Sequence, residues 1–212
     1  MARLYYKILL HKYKEMKLKL VLATSNKGKV KEIKALCEEY EVIPYSELME
    51  EFEIIEDADT FKGNALIKAR AVFKALNDKN IVVMADDSGI SVDVLEGAPG
   101  IYSARYAGAG ASDKDNLQQL MNAIKNKGVK SSPAFYTAAI AIVTDNTERS
   151  VHGWMYGTAL SERKGEGGFG YDPMFVPEGY DKTLGELPDE IKKKLSHRSK
   201  ALSLAKKILK AL

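Results

Sequence analysis

The chain has 212 residues, of which 45% are hydrophobic and 29% are charged, and its formal net charge at pH 7 is +3. This composition is typical of a globular domain and excludes a disordered or fibrous protein. The small net charge argues against nucleic acid as the main partner, and no apolar run reaches the roughly 18 residues of a membrane span. We therefore expect neither nucleic acid nor a membrane as a partner.

Residues 1–15 mix basic and apolar side chains and lack a small-residue cleavage site, so we interpret them as an extension rather than a signal peptide. The rest of the chain, 16–212, is predicted to form a single domain. Its one cysteine, Cys37, cannot form an internal disulfide and falls in a helical pattern. We expect a buried thiol and a reducing, cytoplasmic setting.

The hydrophobic pattern predicts that strands and helices alternate in the first half of the chain. Strands are predicted over 17–24 and 41–44 and at the continuous apolar run 81–85, and helices over 29–40 and 60–76. The helix over 60–76 has the strongest apolar stripe.

The second half of the chain begins with a stretch, 96–110, that is too rich in glycine, alanine and serine to form a regular element. Ser112 is predicted to cap a helix over 113–125, and strands over 135–144 and 149–160 to form a hairpin. A glycine-rich loop covers 164–170, and Ser196 or Ser199 is expected to cap a final helix. The apolar stripe of that helix is predicted at Ala201, Leu204, Ala205, Ile208 and Leu212. The mixture indicates an α/β domain with a mixed sheet and flanking helices.

The stretch TSNKGK, residues 24–29, follows a predicted strand and opens a predicted helix. Backbone N–H groups at a helix N-terminus face an anion, Gly28 permits close approach, and Lys27 or Lys29 adds positive charge, so the stretch suits a phosphate. Its spacing is not that of a Walker A motif. An ordinary strand–helix turn is the simpler alternative.

The apolar run 81–85 leads into two adjacent carboxylates, Asp86 and Asp87, followed by serine and glycine. Open α/β sheets place their ligands at the ends of such buried strands. The two side chains point to opposite sides of an extended chain, so we expect one to face a cleft and the other to anchor a turn. A carboxylate in a cleft can hold Mg²⁺ or orient a water molecule. A plain Asp-Ser-Gly turn is the alternative.

Four acids precede the helix over 60–76, and some of them are expected to serve its N-terminus beside Thr60, the predicted cap. One of the four is a candidate second oxygen ligand for the metal. The local pattern does not distinguish among Glu53, Glu56, Asp57 and Asp59.

Two further stretches place side chains in a setting that suits a ligand. In GGFGYDP, glycines flank Phe169, which suits a ring that stacks on a nucleobase, although a core phenylalanine at a hairpin corner fits equally well. In LSHRSKA, His197 and Arg198 open the final helix, where cations are unfavourable. A ligand with an anionic group or a carbonyl would compensate, and exposed residues without a role are the alternative.

Taken together, these stretches resemble the inosine triphosphate pyrophosphatases, the Ham1-like family that removes non-standard purine nucleotides. TSNKGK, TFKGNALIKAR, ADDSGISVDVLEGAPGIYSARYAG, GEGGFGYDP and SHRSKA occur in the family's order from about residue 16 onward. Ser25 departs from the family, which commonly has glycine there. The resemblance implies a long mixed central sheet with flanking helices, two lobes that enclose a substrate cleft, and a homodimer.

The resemblance further implies Mg²⁺-dependent hydrolysis of ITP, dITP and XTP to the monophosphate and pyrophosphate, which cleanses the nucleotide pool. It makes Asp87 the catalytic proton acceptor, and Glu56 and Asp87 the metal ligands. The implied phosphate-binding residues are Thr24, Ser25, Asn26, Lys27, Gly28, Lys29 and Ser88. The implied base- and sugar-binding residues are Phe169, Gly170, Tyr171, Asp172, Lys192, His197 and Arg198.

Base selectivity has a simple polar explanation on this interpretation. Arg198 or His197 can donate to the 6-oxygen of hypoxanthine or xanthine, whereas adenine presents an amino donor at that position. No sequence feature identifies the residue that excludes the 2-amino group of guanine. Two alternatives also stay open: a Maf-like pyrophosphatase for modified pyrimidine nucleotides, and a nucleotide sensor without enzymatic activity.

Overall fold

A six-stranded mixed sheet forms the centre of the structure, a computed structural model that describes residues 19–212. The strands are β1 (Lys19–Leu22), β2 (Glu41–Pro44), β3 (Val82–Val92), β4 (Ser131–Val143), β5 (Glu148–Leu160) and β6 (Phe175–Pro177). Their order is β2-β1-β3-β4-β5-β6, with β1 parallel to β2 and β3 and the other pairs antiparallel. The predicted extension over 1–15 lies outside the described residues.

Five α-helices accompany this sheet within residues 19–212. They are α1 (Lys27–Leu36), α2 (Phe61–Leu76), α3 (Asp113–Asn126), α4 (Asp189–Leu195) and α5 (His197–Leu209). Short 3₁₀ helices cover Tyr45–Glu47, Asp93–Leu95, Gly100–Arg105 and Asp172–Met174. No helix in this described range is long and apolar enough to cross a membrane. The predicted long mixed sheet with flanking helices is confirmed, whereas the two lobes and the cleft between them stay a prediction.

Side-chain caps set the start of most of these helices. Asn26 caps α1, and Thr60 caps α2 by accepting a hydrogen bond from the N–H of the third helical residue. Ser112 and Asp115 form a capping box at the start of α3. Ser196 rather than Ser199 caps α5. The start of each predicted helix therefore follows from short polar residues placed before apolar runs.

The strand β3 differs from its prediction in an important way. It does not stop at residue 85 but continues through both acids to Val92. Asp86 pairs with Ile140 and Asp87 with Ala139, because the long antiparallel strand β4 supplies backbone partners throughout. The expectation that one acid anchors a turn is wrong, since both lie in the middle of the sheet.

The two faces of the sheet carry different helices, which separates the two acids. On one face, α1 and α5 pack through Ile33 and Ala201 against the strand residues Leu20, Met84 and Ile140. On the other face, α2 packs through residues such as Ala65, Ala69 and Val72 against Val83 and Ala139. Even-numbered positions of β3 near the acids face α1 and α5, and odd-numbered positions face α2. The expected opposite orientation of the two acids is confirmed.

Some helix details also differ from the predicted ones. The helix α1 ends at Leu36, four residues before the predicted end. In α5 the buried apolar residues are Ala201, Leu202, Ala205 and Leu209, whereas Leu204 is 41% exposed. The predicted stripe is therefore wrong at Leu204, and also at Leu212, which follows the end of the helix and is exposed. The predicted burial of Cys37 is confirmed, and burial raises the pKa of its thiol to about 11.

Candidate active site

A pocket of about 350 Å³ lies over the middle of β3 and falls in the size range of small-molecule sites. The strand β1 ends beside this pocket. The next residue, Ala23, lines the pocket and donates its N–H to the carbonyl of Met84 in β3 at 2.8 Å. The pocket brings together most of the residues singled out from the sequence: Thr24, Ser25, Asn26, Lys29, Glu56, Asp87, Ser88, Phe169, Gly170, Tyr171, Asp172, His197 and Arg198.

Asp86, on the face of the sheet that carries α1 and α5, is a buried counter-ion rather than part of a turn. Its carboxylate is fully buried and accepts from Arg198 Nε at 3.1 Å, while Lys29 Nζ lies 2.8 Å away. Glu32 of α1 forms a second ion pair with Arg198. Burial alone would raise the pKa of Asp86, but the two cations hold that pKa well below its usual range. These carboxylates compensate the charge of Arg198 at the start of α5.

Almost all hydrogen-bond donors of the Arg198 guanidinium already have partners within the protein. Its side chain is 2% exposed and also donates from Nη2 to Ser88 Oγ at 2.9 Å. Two contacts with Asp86, one with Glu32 and one with Ser88 occupy four of the five N–H donors of an arginine. One donor is therefore left for a ligand, and the guanidinium carbon lies 5.9 Å from the centre of the Phe169 ring.

On the opposite face of the sheet, a lysine joins two carboxylates. Lys68 Nζ lies 2.5 Å from Glu56 Oε2 and 3.0 Å from Asp87 Oδ1. Burial raises the pKa of Asp87 despite the nearby lysine. Lys68 was not singled out from the sequence, although its position was informative: it falls on the buried side of α2, between Ala65 and Val72. A lysine within an apolar helical stripe is the signal that could have found it.

Glu56 and Asp87 fit a magnesium ion by their chemistry. Both offer hard carboxylate oxygens, and Asp87 Oδ2 is buried without a hydrogen-bond partner. Magnesium is usually held by one or two carboxylates together with substrate phosphates and water. No group of three or more histidine, cysteine, aspartate or glutamate side chains within 19–212 is arranged to hold a metal. The two carboxylates would therefore share the ion with substrate oxygens.

The far end of the pocket is aromatic. Phe169 lines the pocket and is 39% exposed, which favours a stacking surface over a core phenylalanine. Tyr171 is buried instead, and its hydroxyl donates to the carbonyl of Ser103 at 2.6 Å. His197 stacks on Tyr136 with ring centres 4.7 Å apart. Burial and then the charge of Arg198 lower the pKa of His197 well below its usual value, so its imidazole is neutral.

Asp172 stabilises the glycine-rich loop at the aromatic end of the pocket. Its Oδ2 accepts from the backbone N–H of Phe169 at 3.1 Å, and burial raises the pKa of its carboxyl to about 6. Gly170 donates its N–H to Asp113 Oδ2 at 3.2 Å, which ties the loop to the start of α3. The loop that carries Phe169 is thus held at both sides.

Four residues of the predicted phosphate-binding segment line the pocket, and their side chains already have partners: Thr24, Ser25, Asn26 and Lys29. Asn26 Oδ1 accepts from the backbone N–H of Lys29 at 3.0 Å, as the cap of α1. Ser25 Oγ donates to Glu51 Oε2 at 2.9 Å. The ammonium of Lys29 turns inward to Asp86. The groups available to an anion here are mainly backbone N–H groups at the start of α1.

Three of the residues predicted for the site do not line this pocket: Lys27, Gly28 and Lys192. Lys192 pairs with Asp189 within α4 at 2.9 Å. A Cβ atom at Gly28 would lie 3.4 Å from the Phe169 ring, an ordinary van der Waals distance, so Gly28 packs next to that ring. The pocket also contains Arg105, Asp113 and Asn116, which the sequence analysis does not single out. Arg105 falls in the irregular stretch 96–110, and the other two fall in the helix predicted over 113–125.

The sheet and its polar pocket define an α/β protein with a small-molecule site. A model of the Ham1 family matches residues 20–208. The dITP/XTP pyrophosphatase of Sulfurimonas denitrificans is 72% identical over 199 residues, which covers 92% of this chain and 100% of that relative. The dITP/XTP pyrophosphatase of Campylobacter jejuni subsp. jejuni is 53% identical over 198 residues, covering 92% and 98% respectively.

Solved structures agree with these sequence relationships. A HAM1 protein from Coxiella burnetii superposes with a TM-score of 0.81 at 34% identity and covers 92% of this chain and 100% of its own. The Ham1 protein of Staphylococcus aureus gives a TM-score of 0.79 at 39% identity, covering 91% and 98%. The chain belongs to the Ham1 family, which confirms the resemblance drawn from its motifs.

Proposed function

We propose that this chain is a nucleoside triphosphate pyrophosphatase that hydrolyses the non-standard purine triphosphates ITP, dITP and XTP to the monophosphate and pyrophosphate. Close relatives named dITP/XTP pyrophosphatase support this activity. The observation that carries the proposal is the pair of carboxylates, Glu56 and Asp87, that share Lys68 on the wall of a pocket whose other end is aromatic.

The nucleobase is placed at the aromatic end of the pocket. Phe169 offers a ring face on which a purine stacks. The guanidinium carbon of Arg198 lies 5.9 Å from the centre of that ring, and its remaining N–H donor can meet a 6-oxygen. The neutral imidazole of His197 lines the same pocket and offers a second polar contact. Adenine would bring an amino group to the same place and leave a buried donor without an acceptor, which penalises ATP.

The triphosphate is placed over the start of α1 and the middle of β3. The backbone N–H groups that follow Thr24 suit an anion, and Ser88 adds a hydroxyl. Glu56 and Asp87 would hold Mg²⁺, which supplies charge neutralisation for the phosphates when it is bound. The proposed phosphate site thus lies next to the proposed metal ligands.

Asp87 is proposed as the general base. Its carboxylate takes a proton from a water molecule as the water oxygen bonds to the α-phosphorus, and the bond from that phosphorus to the bridging oxygen breaks. The electron pair leaves with pyrophosphate. Lys68 holds Asp87 and Glu56 in place and offsets their repulsion in the free protein.

A pyrophosphate-release screen with ITP, XTP, dITP, GTP, ATP and UTP, with and without Mg²⁺, tests this function. We expect the highest kcat/KM for ITP, dITP and XTP, and release only with the divalent ion. A preference for UTP would favour the Maf-like alternative, and nucleotide binding without release would favour a sensor. The names of the relatives favour the first outcome.

The assembly and setting of the protein follow as further parts of this proposal. The chain is proposed to act as a cytoplasmic homodimer, as expected from the resemblance of its motifs. Light scattering coupled to size-exclusion chromatography tests the dimer, and a mass equal to one chain of 23.4 kDa would contradict it.

A further inference from the structure

Most cations of the pocket are already neutralised by the protein. Lys29 pairs with Asp86, Lys68 with Asp87, and Arg198 with Asp86. Among the lysine and arginine side chains that line the pocket in the described part of the chain, Arg105 forms no ion pair. A highly charged anion that enters the pocket therefore meets this free positive charge first.

Arg105 is held at the pocket rim by two contacts that leave most of its donors open. It is exposed, and its guanidinium carbon lies 5.2 Å from the centre of the Tyr102 ring. One of its terminal nitrogens lies 3.5 Å from the backbone carbonyl oxygen of Glu56. A guanidinium with a free edge suits bidentate contact with phosphate oxygens.

The 3₁₀ helix Gly100–Arg105 that carries this arginine is fixed to β3. Ser103 Oγ accepts from the N–H of Ile90 at 3.0 Å and donates to the carbonyl of Gly100 at 2.6 Å. The approach is possible because residue 89 of β3 is glycine, where a Cβ would lie 2.9 Å from that of Ser103. The rigid attachment keeps Arg105 at a set position relative to the strand that carries Asp87.

Arg105 lies beside one of the two proposed metal ligands. One of its terminal nitrogens is 3.5 Å from the carbonyl oxygen of Glu56, and the carboxylate of Glu56 shares Lys68 with Asp87. With the α-phosphate at Asp87, the β- and γ-phosphates are the ones that would reach Glu56 and its neighbour Arg105.

We infer that Arg105 binds the β- and γ-phosphates of the substrate and, after cleavage, the pyrophosphate product. This inference rests on the proposed function for the direction in which the nucleotide lies. A fixed positive charge beside the leaving group also stabilises the charge that develops there when the α–β bond breaks. Arg105 thus favours a triphosphate over a monophosphate at the same base site.

Calorimetric titration with two probes, inorganic pyrophosphate and IMP, both in the presence of Mg²⁺, tests the inference without turnover. Arg105→Ala should weaken pyrophosphate binding by roughly 10- to 100-fold, the range of a lost hydrogen bond to a charged group, and leave IMP binding within about twofold. Lys74→Ala, which removes an exposed positive charge from α2 outside the pocket, is the matched control and should change neither.

Arg105→Lys and Arg105→Gln separate charge from packing, and thermal melts check that each variant folds. The lysine variant should keep part of the pyrophosphate affinity, and the glutamine variant should lose as much as alanine. Unchanged pyrophosphate affinity in Arg105→Ala, or an equal loss for IMP, would overturn the inference. A wild-type chain that binds pyrophosphate but releases none from ITP would instead overturn the proposed function, since titration does not depend on turnover.

Discussion

Asp86 and Asp87 are neighbours in β3, yet their carboxylates lie on opposite faces of the sheet and pair with different cations. Asp86 meets Arg198 at 3.1 Å, and Asp87 meets Lys68 at 3.0 Å. The strand thus resolves the repulsion of two adjacent acids by giving each its own partner. The first acid is fully buried in a charge network, whereas the second lines the pocket. Their substitutions should therefore have different effects.

Asp87→Asn should abolish most turnover and keep the fold. The amide oxygen can still accept from Lys68, but it cannot take a proton from water. We expect kcat for ITP to fall by roughly 10²- to 10⁴-fold, the usual contribution of a general base. Pyrophosphate release measures the loss, and a melting temperature close to that of the wild type is the control. Activity near the wild-type level would remove Asp87 from the role of base.

Asp86→Asn should instead destabilise the fold. It leaves Arg198 and Lys29 without their shared counter-charge in a buried position, a change that typically costs about 3–5 kcal/mol. Urea unfolding measures the difference. The control is Glu148→Gln, which breaks an exposed ion pair with Arg70 and should cost less than about 1 kcal/mol. Equal losses in the two variants would contradict this account.

Arg198→Lys should narrow the preference for ITP over ATP. Lysine keeps a positive charge near Asp86 but loses the planar fork that leaves one donor for the base. We expect the ratio of kcat/KM values for the two nucleotides to fall by roughly tenfold or more, as expected for a lost hydrogen bond to the base. Arg163→Lys, a change at an exposed arginine that pairs with Glu166, should leave the ratio unaltered. A constant ratio in Arg198→Lys would exclude Arg198 from base recognition.

Asp172 should make the stability of the protein depend on pH. Burial raises the pKa of its carboxyl to about 6 in the folded chain, above the value of about 3.9 in an unfolded one. At a pH between these two pKa values, the carboxyl is ionised in the unfolded chain but still protonated in the folded one. The free energy of unfolding therefore falls as pH rises through this range, by about 1–3 kcal/mol in total.

Asp172→Asn removes this titration and keeps an oxygen that accepts from Phe169. Relative to the wild type, the variant should therefore become more stable as pH rises from about 4 to about 7. Urea unfolding of both proteins at the two pH values measures the change. A stability difference that stays constant across the window would show that Asp172 does not titrate there.

Lys68→Met should make the protein more dependent on a divalent ion. Without the lysine, Glu56 and Asp87 lose the cation that they share, and we expect a loss of about 1–3 kcal/mol in the presence of a chelator. Added Mg²⁺ should restore more stability in this variant than in the wild type, because it replaces the missing charge. Thermal melts measure both effects, with Lys62→Met at an exposed position of α2 as control. An equal response to Mg²⁺ in the variant and the wild type would contradict the prediction.

Local patterns were sufficient to predict the starts of the helices α2, α3 and α5, whereas most of the pocket residues were assigned only with the help of the family resemblance. Short polar residues such as Thr60 and Ser112 mark caps through contacts with residues only three positions away. Such features depend on neighbours in the chain, so a sequence shows them directly. The motifs around residues 24–29 and 167–173 were found in the same way.

The contacts that were missed depend on residues far apart in the sequence. β3 continues beyond residue 85 because it pairs with β4, which begins at Ser131. The role of Asp86 depends on Arg198, 112 positions away. No periodicity reports such pairings, and this is why the acids were expected to border a turn. Lys68 is the exception, since its place in an apolar stripe was visible.

The ion pair between Glu32 and Arg198 joins residues 166 positions apart and connects the first described helix to the last. During synthesis, a chain that has not yet released its final helix from the ribosome holds Asp86 without the arginine that neutralises it. The buried charge network beneath the sheet and the aromatic end of the pocket are therefore completed in the same late step. A chain without α5 would therefore lose both the arginine that pairs with Asp86 and the side chains that His197 and Arg198 contribute to the pocket.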